Sequence, residues 1–279
     1  MDDKYNPRTY WENRLSRRLD IATVGQKGLG FVYNGWLYRA RFRAIRRAIK
    51  KLKINISGKS LIDIGVGSGA WIPFWERLQP GKIVGFDITS ASVSNLRTRY
   101  PHILFFQGDI CSQNEITFGE RFDVVTAFDI LFHITEDTAF SNAISNLSKM
   151  VECDGWVIIS DSFCSNSWGP IYHEYHRSYD VYLRELESAG LKPIHVEPIF
   201  FAMTTNICSP DSKYDEYLSR LAQAALRLVN RLSRRQSTEW MNYLIGCGLY
   251  FIDNVFNKIV SKGPSLNVLF ARKQHSKIL

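Results

Sequence analysis

Between residues 61 and 160 the chain alternates short apolar runs with longer stretches of helical period, and that alternation predicts most of the architecture. Runs at 61–64, 82–86, 103–106, 122–128 and 156–160 are rich in Ile, Val and Phe, with few polar interruptions. Runs of this kind read as strands of a parallel sheet covered on both faces, where no in–out alternation is needed. Between them, 70–78, 92–100 and 138–151 carry apolar residues at helical spacing. Strands alternating with helices imply right-handed crossovers, helices on both faces and a ligand crevice beyond the carboxyl ends of the strands.

Outside this block the pattern changes. Residues 168–170 (Trp-Gly-Pro) form a turn, and the His- and Arg-bearing segment 172–178 leads into a helix at 179–189 that Ser178 can cap and Gly190 stops. A sixth strand is expected at 192–201 and a seventh at 266–271, separated by helical patterns at 214–234 and 240–261. Upstream, a short helix at 10–18 precedes a loop holding Gly25, Gly28 and Gly30, which no strand precedes and which therefore makes no second nucleotide site. Residues 36–53 read as a helix with Leu37, Phe42, Ile45, Ile49 and Leu52 on one face. The expectation is an α/β fold: a seven-stranded, mostly parallel Rossmann-like sheet with helices on both faces, N-terminal helices, and a helical insertion between the last two strands. The boundaries are 1–56 for an N-terminal lid and basic helix, 57–201 for the cofactor-binding core, 202–265 for an insertion covering an acceptor pocket, and 266–279 for the final strand and tail.

The chemistry is concentrated where the first strand ends. Residues 61–69 read Leu-Ile-Asp-Ile-Gly-Val-Gly-Ser-Gly. Glycines at 65, 67 and 69 let backbone approach a ligand closely, because no Cβ intervenes. The dinucleotide fingerprint is Gly-x-Gly-x-x-Gly, and here the third glycine comes one residue early. No Gly-Lys-Ser/Thr follows, so a phosphate cradle has no support. Asp87 ends the second strand, 22 residues after Gly65. A carboxylate there can accept from both vicinal hydroxyls of a ribose.

The pattern Asp63-x-Gly65-x-Gly67-x-Gly69 resembles motif I of the class I S-adenosylmethionine (SAM) methyltransferases. Asp87, Gly108-Asp109-Ile110, the run 122–134 and Gly155 through Asp161 resemble the later motifs in the right order. The resemblance covers about residues 60–200 and returns at the last strand. It implies SAM as methyl donor and S-adenosylhomocysteine (SAH) as product. Within it, Gly65, Gly67 and Gly69 carry the cofactor, and Asp63 contacts the methionine amino group. Asp87 takes the ribose with Ile88 beside it, Asp109 takes the adenine amine, and Ile110 packs on that ring. Phe128 ends the fourth strand and faces the methionine part. Tyr10 and Trp11 match an N-terminal segment that folds over the cofactor in relatives. A hydroxyl acceptor also needs a base, and histidine suits this because its ordinary pKa is near neutrality. His176 and His173 rank ahead of His133, with Asp161 as an orienting group. Each of the three reads equally as a hydrogen-bonded structural histidine, and an amine acceptor needs no base.

Charge adds a question. The net charge is +8, and Arg39, Arg41, Arg43, Arg46, Arg47, Lys50, Lys51 and Lys53 cluster without an acid among them. A second group is Arg220, Arg227, Arg231, Arg234 and Arg235. A basic amphipathic helix binds a phosphorylated substrate, a membrane surface or nucleic acid, or is a solvated face. The Asn/Asp-Pro-Pro-Tyr motif of adenine methylation and the Pro-Cys of the cytosine enzymes are absent, which disfavours nucleic acid. Five scattered cysteines without a Cys-x-x-Cys pair argue against a disulfide frame or a metal site and for a cytoplasmic, reducing setting. The N-terminus does not read as a signal peptide, and the longest apolar stretch, near 241–252, falls short of the ~20 residues a bilayer span needs. The function these features favour is methyl transfer to a small-molecule, sugar or lipid-like hydroxyl. The acceptor would be anionic or lipid-like, with peripheral membrane contact. The alternatives are an RNA or protein methyltransferase using the basic helix, and a non-catalytic or NAD-binding Rossmann protein.

Overall fold

Seven strands form one sheet in the order β3-β2-β1-β4-β5-β9-β8 in a computed structural model that describes residues 5–26, 28–114, 116, 118–204, 208, 213–233, 239–258, 263 and 265–275. The strands are β1 (Ser60–Ile64), β2 (Lys82–Asp87), β3 (Leu104–Gln107), β4 (Phe122–Phe128), β5 (Val151–Asp161), β8 (Leu191–Pro198) and β9 (Asn267–Lys273). Strands β1 to β5 pair in parallel, and β9 runs antiparallel between β5 and β8. This is the mostly parallel sheet that the alternation predicts. Its order reverses at β1, which lies between β2 and β4, so a crevice opens at the carboxyl end of β1.

Ahead of the sheet come α1 (Pro7–Leu15), α2 (Ile21–Val24) and α3 (Gly30–Leu52). The sheet's crossovers carry α4 (Ile72–Glu76), α5 (Ser90–Arg99), α6 (Asp137–Met150) and α7 (Tyr179–Ser188), and the insertion carries α8 (Lys213–Ser233) and α9 (Glu239–Phe256). Successive strand residues serve opposite faces. Leu61, Val124, Ile158 and Phe270 join Leu37, Ile45 and Trp75 in one buried cluster. Their neighbours Ile62, Val125, Ile159 and Leu269 join Phe140, Ile144 and Leu147 in another. Each such side chain contributes about 1.5–3 kcal/mol when fully buried, so the two-sided core dominates the stability.

Several elements differ from the sequence reading. The helix after the glycine loop is one short turn at Ile72–Glu76 rather than 70–78. Gly69 is left-handed (φ 73°), Pro73 suits only a helix start, and Gln79 is left-handed again (φ 54°). Helix α3 begins six residues earlier than expected and ends where Lys53 turns left-handed (φ 54°). Residues 168–176 are a hairpin, β6 (Trp168–Ile171) and β7 (Glu174–His176), with a cis Gly169–Pro170 bond. Strand β8 stops at Pro198 rather than at 201.

Two further expectations are corrected. Cys164 and Cys208 form a disulfide across 44 residues. Spacing gave no hint of it, because the bridge joins the loop after β5 to the segment after β8, and only the sheet order brings those together. The cysteine argument for a reducing compartment falls with it. The cations of α3 are also not simply solvated. Arg41 is buried and bonds Asp129 through Nε at 2.9 Å, and Arg47 pairs with Glu197 and donates to the Pro198 carbonyl at 3.1 Å. Arg39 lies over Trp36 and Arg43 over Tyr250.

The insertion packs on α3. A Cβ at Gly246 would fall 2.3 Å from the Trp36 ring, so only glycine allows that approach. Asp253 of α9 is buried and accepts from the Phe201 and Ala202 amides at 3.1 and 2.5 Å. Asp253→Ala leaves two buried donors without that acceptor and is expected to lower stability by about 2–4 kcal/mol. Urea denaturation followed by circular dichroism checks this, and an unchanged midpoint would show that the carboxylate does not fasten the insertion.

Candidate active site

A cavity of about 340 Å³ lies at the carboxyl ends of β1, β2 and β4, and residues of α1 and α2 close its other side. Of the residues singled out in the sequence, Gly65, Gly67, Asp87, Ile88, Asp109 and Ile110 line it. Phe128, Trp11 and His133 line it as well. Asp63, Gly69, Tyr10, His173 and His176 are not in the lining. Nor is any described residue of the insertion.

The glycine loop has a tight geometry. Gly65 has φ 73°, and a Cβ there would sit 2.4 Å from Ile130 Cγ2, another lining residue. Gly69 is a packing glycine, since its Cβ would meet Leu96 at 2.6 Å. The loop is held from β2. Asp87 accepts from the Gly67 amide at 2.8 Å with one oxygen, and from the Thr89 amide and hydroxyl at 2.9 and 2.7 Å with the other. Burial raises the Asp87 pKa, and those bonds oppose the rise. Ser92 closes the arrangement by donating to the Gly67 carbonyl at 2.5 Å.

Asp63 lies one strand inward, in register with Thr126 of β4, whose hydroxyl donates to its Oδ1 at 2.6 Å. Its Oδ2 is buried without a partner. Burial, reinforced by Asp87, raises its pKa to about 7. An orphaned carboxylate oxygen just below a glycine loop suits a cationic ligand group, which would supply the missing bond and restore the charge. Asp109 is turned toward the backbone, accepting from Cys111 N at 2.9 Å. Burial pushes the Cys111 thiol up to about 12, so it is no nucleophile.

Two contributors were missed by the sequence reading. Glu12 of α1 accepts from Ser90 N, Ser90 Oγ and Ala91 N at 2.7, 2.8 and 3.0 Å, fastening α1 to the first turn of α5. Nothing in the sequence marks that pairing. Arg41 grips Asp129, a lining residue whose amide and carboxylate both bond Ser160. Here a signal existed: Arg41 falls four residues after Leu37 and four before Ile45, on the apolar stripe and not the basic face.

The three histidines divide. His133 Nδ1 lies 2.8 Å from the His173 carbonyl. A carbonyl only accepts, so Nδ1 carries the proton and Nε2 has a free lone pair. Burial lowers its pKa to about 4, keeping the ring neutral. The Trp11 ring meets it edge-on at 5.0 Å, and the His173 ring stacks on it at 5.3 Å. His176 is instead sandwiched between Phe132 and Trp168, with Ser162 Oγ at 3.2 Å and carboxylates of Glu174 and Asp161 at 3.6 and 3.8 Å. Burial alone would lower its pKa, but the two carboxylates outweigh it and raise it to about 9. A group already protonated at neutral pH has no lone pair to serve as a base.

A family model described as a methyltransferase domain matches residues 37–200, more than half of the chain. The chain belongs to that family, and its fold is that of the class I SAM-dependent methyltransferases. Curated relatives named ubiquinone biosynthesis O-methyltransferase, from two strains of Rhodopseudomonas palustris, are 25% identical over 141 residues, covering 50% of this chain. The match spans about half of those relatives, 53% of their length. Among solved structures, magnesium protoporphyrin IX methyltransferase from Synechocystis with bound SAH aligns at TM-score 0.53 and 15% identity, covering 96% of this chain and 98% of that one. The N-methyltransferase NodS from Bradyrhizobium japonicum in complex with SAH aligns at TM-score 0.55 and 13% identity, covering 97% and 100%.

The His176 cluster has a pH signature. Its pKa is higher in the folded chain than the ordinary 6.5, so its contribution to stability is complete below that value and fades as pH rises through about 9. The difference corresponds to at most about 3 kcal/mol. Denaturant titrations at about pH 6 and about pH 9.5 should show wild type losing more stability across this window than His176→Gln. Equal losses would refute the ion-pair description.

Proposed function

We propose that this chain is a SAM-dependent O-methyltransferase that methylates a phenolic hydroxyl of a small, lipid-like molecule, with His133 as the general base. The observation that carries this reading is the neutral His133 ring in the cavity wall, with Nδ1 fixed on the His173 carbonyl and Nε2 left to accept.

The residues suit the cofactor. Asp87 and Ile88 would hold the ribose, Asp109 and Ile110 the adenine, and the Gly65–Gly67 backbone with Asp63 the methionine part. The unpartnered Asp63 oxygen matches a cationic amino group. When bound, SAM supplies a methyl already activated by its sulfonium. The protein then contributes alignment, which can be worth ~7–11 kcal/mol of barrier, and proton removal, typically ~10²–10⁴-fold. Trp11, Leu15 and Tyr5 on the N-terminal side exclude water, and α1 acts as the lid, latched by Glu12.

The low pKa of His133 narrows the acceptor. It is available at neutral pH but is a weak proton acceptor, so it matches a hydroxyl as acidic as a phenol, near pKa ~10, far better than a sugar alcohol. Aromatic neighbours Trp11, Tyr38 and Phe128 in the lining favour a flat ring. The curated relatives' name supports oxygen as the methylated atom. The structural relatives carry no weight here, since their names span different acceptors on one fold. The basic helix offers little to an RNA reading, because Arg41 and Arg47 are bound within the fold.

Calorimetry with SAH is expected to show Asp87→Ala losing at least about tenfold in affinity, since a buried charge-assisted acceptor is removed. Undiminished binding would defeat the ribose assignment. A panel of phenols, sugar alcohols and amines, read by SAH release, is expected to yield turnover with phenols. His133→Asn should then lower kcat about 10²-fold or more while SAH affinity stays within about twofold. Turnover confined to amines, or unaffected by His133→Asn, would reject the base.

A further inference from the structure

Helix α9 has two apolar sides, and only one is covered. Gly246 lies against Trp36 of α3, and Ile245, Leu249 and Tyr250 pack on the cluster that α3 helps build. On the other side Trp240, Leu244, Phe251 and Val255 stand 63%, 59%, 59% and 56% exposed. They follow one another at helical spacing, and Gly248 lies within the same stripe with open space where a Cβ would be. Tyr243 and Ile252 widen the stripe, and Leu228 of α8 is exposed as well. Scattered exposed apolar residues are ordinary, but a run of six large ones on one helix marks an interaction surface.

The surroundings of the stripe select its occupant. Arg227 and Arg231 are exposed on α8, which packs against α9, and Lys258 is exposed just beyond the end of α9. Arg39 is exposed over the Trp36 ring, which in turn lies 5.1 Å from Tyr243. Among the described side chains of α8 and α9 the carboxylates are Glu239, in the first turn of α9, and Asp253, buried and engaged by backbone amides. A second copy docked on this same face would set one basic border against another, with no exposed acid among the described side chains of α8 and α9. Anionic lipid headgroups complement the same cations while the acyl boundary takes up the apolar stripe. The terminal Trp240 and flanking Tyr243 have rings with an apolar body and a polar tip, which suit the headgroup level. No helix among the described residues is long and apolar enough to cross a membrane, so the contact lies in the plane of the surface.

We propose that the outer face of α9, bordered by Arg227, Arg231, Arg39 and Lys258, docks this protein onto an anionic lipid bilayer. This surface is built from α8, α9 and the outer side of α3, none of whose residues on it line the cavity, so the inference stands apart from the identity of the acceptor.

The test uses the full chain with vesicles of phosphatidylcholine alone or mixed with phosphatidylglycerol, read by co-sedimentation. Wild type should sediment with the mixed vesicles, and much less with phosphatidylcholine alone. Binding should weaken as salt is raised from about 0.1 to about 1 M, where the screening length falls from ~10 to ~3 Å. The pair Leu244→Glu with Phe251→Glu, and separately Arg227→Glu with Arg231→Glu, should each reduce binding by roughly tenfold or more. These positions are exposed, and matched circular dichroism melts confirm that both variants fold. Failure of wild type to bind mixed vesicles would overturn the proposal, as would undiminished binding by Leu244→Glu with Phe251→Glu. A dimer in light scattering that this first pair dissolves, without vesicle binding by wild type, would overturn it in favour of self-association.

Discussion

The carboxylate of Asp87 is the constraint on which the rest of the site depends. A buried carboxylate is costly unless its lone pairs are met, and this one is met by the Gly67 amide and by the amide and hydroxyl of Thr89. Those three bonds tie three parts of the chain together: the glycine loop after β1, the tip of β2 and the start of α5. Left-handed glycines alone would give a loop free to take several shapes. With Gly67 bonded through its amide to Asp87 and through its carbonyl to Ser92, one shape is selected. Glu12 extends the same principle outward, because its bonds to Ser90 and Ala91 attach the N-terminal helix to the turn that Thr89 begins.

Electrostatics organise the opposite wall through α3. The helix carries a dense run of cations, and in a solvated helix they would repel one another. Instead they are distributed by direction. Arg41 points inward to Asp129 at the end of β4, and its guanidinium also covers Tyr38 and Phe200 at 5.3 and 4.9 Å. Arg47 turns toward Glu197 at the end of β8. Arg39 lies over Trp36, which meets Tyr243 of α9, and Arg43 lies over Tyr250 of α9 itself. One helix therefore anchors two strand ends and receives α9, which explains why so basic a segment sits beside a cavity lined by Asp87, Asp109 and Asp129.

How much of this was legible in the sequence depended on whether the controlling interaction was local. The sheet was readable because most strands are apolar runs with few interruptions and most crossovers carry a helical period, and the position of Asp87 was readable because it is the last residue of such a run. The hairpin at 168–176 was not, since strands of four and three residues carry no period to detect. The disulfide and the Glu12 latch join segments far apart in sequence, and no local pattern encodes them. Arg41 was misread for a different reason. Charge was allowed to outweigh helical phase, although its position between Leu37 and Ile45 already assigned it to the inner face. The ranking of the histidines rested on residue type and neighbourhood in sequence, since what faces each ring is not encoded locally.

His133 and His176 are separated by little more than the Phe132 ring, which lies 4.3 Å from one and 5.2 Å from the other. Both are deeply set, yet one is driven down to a pKa of about 4 and the other up to about 9. Burial acts on both in the same direction, so the difference comes from what satisfies each ring. His133 meets a neutral carbonyl, which orients its proton but gives its charged form little help. His176 meets two carboxylates, which stabilise the cation by more than burial removes. A cationic methyl donor bound in the cavity would further disfavour protonation of His133, the group nearer to it. The fold thus keeps the charged histidine behind an aromatic ring and the neutral one in the cavity wall.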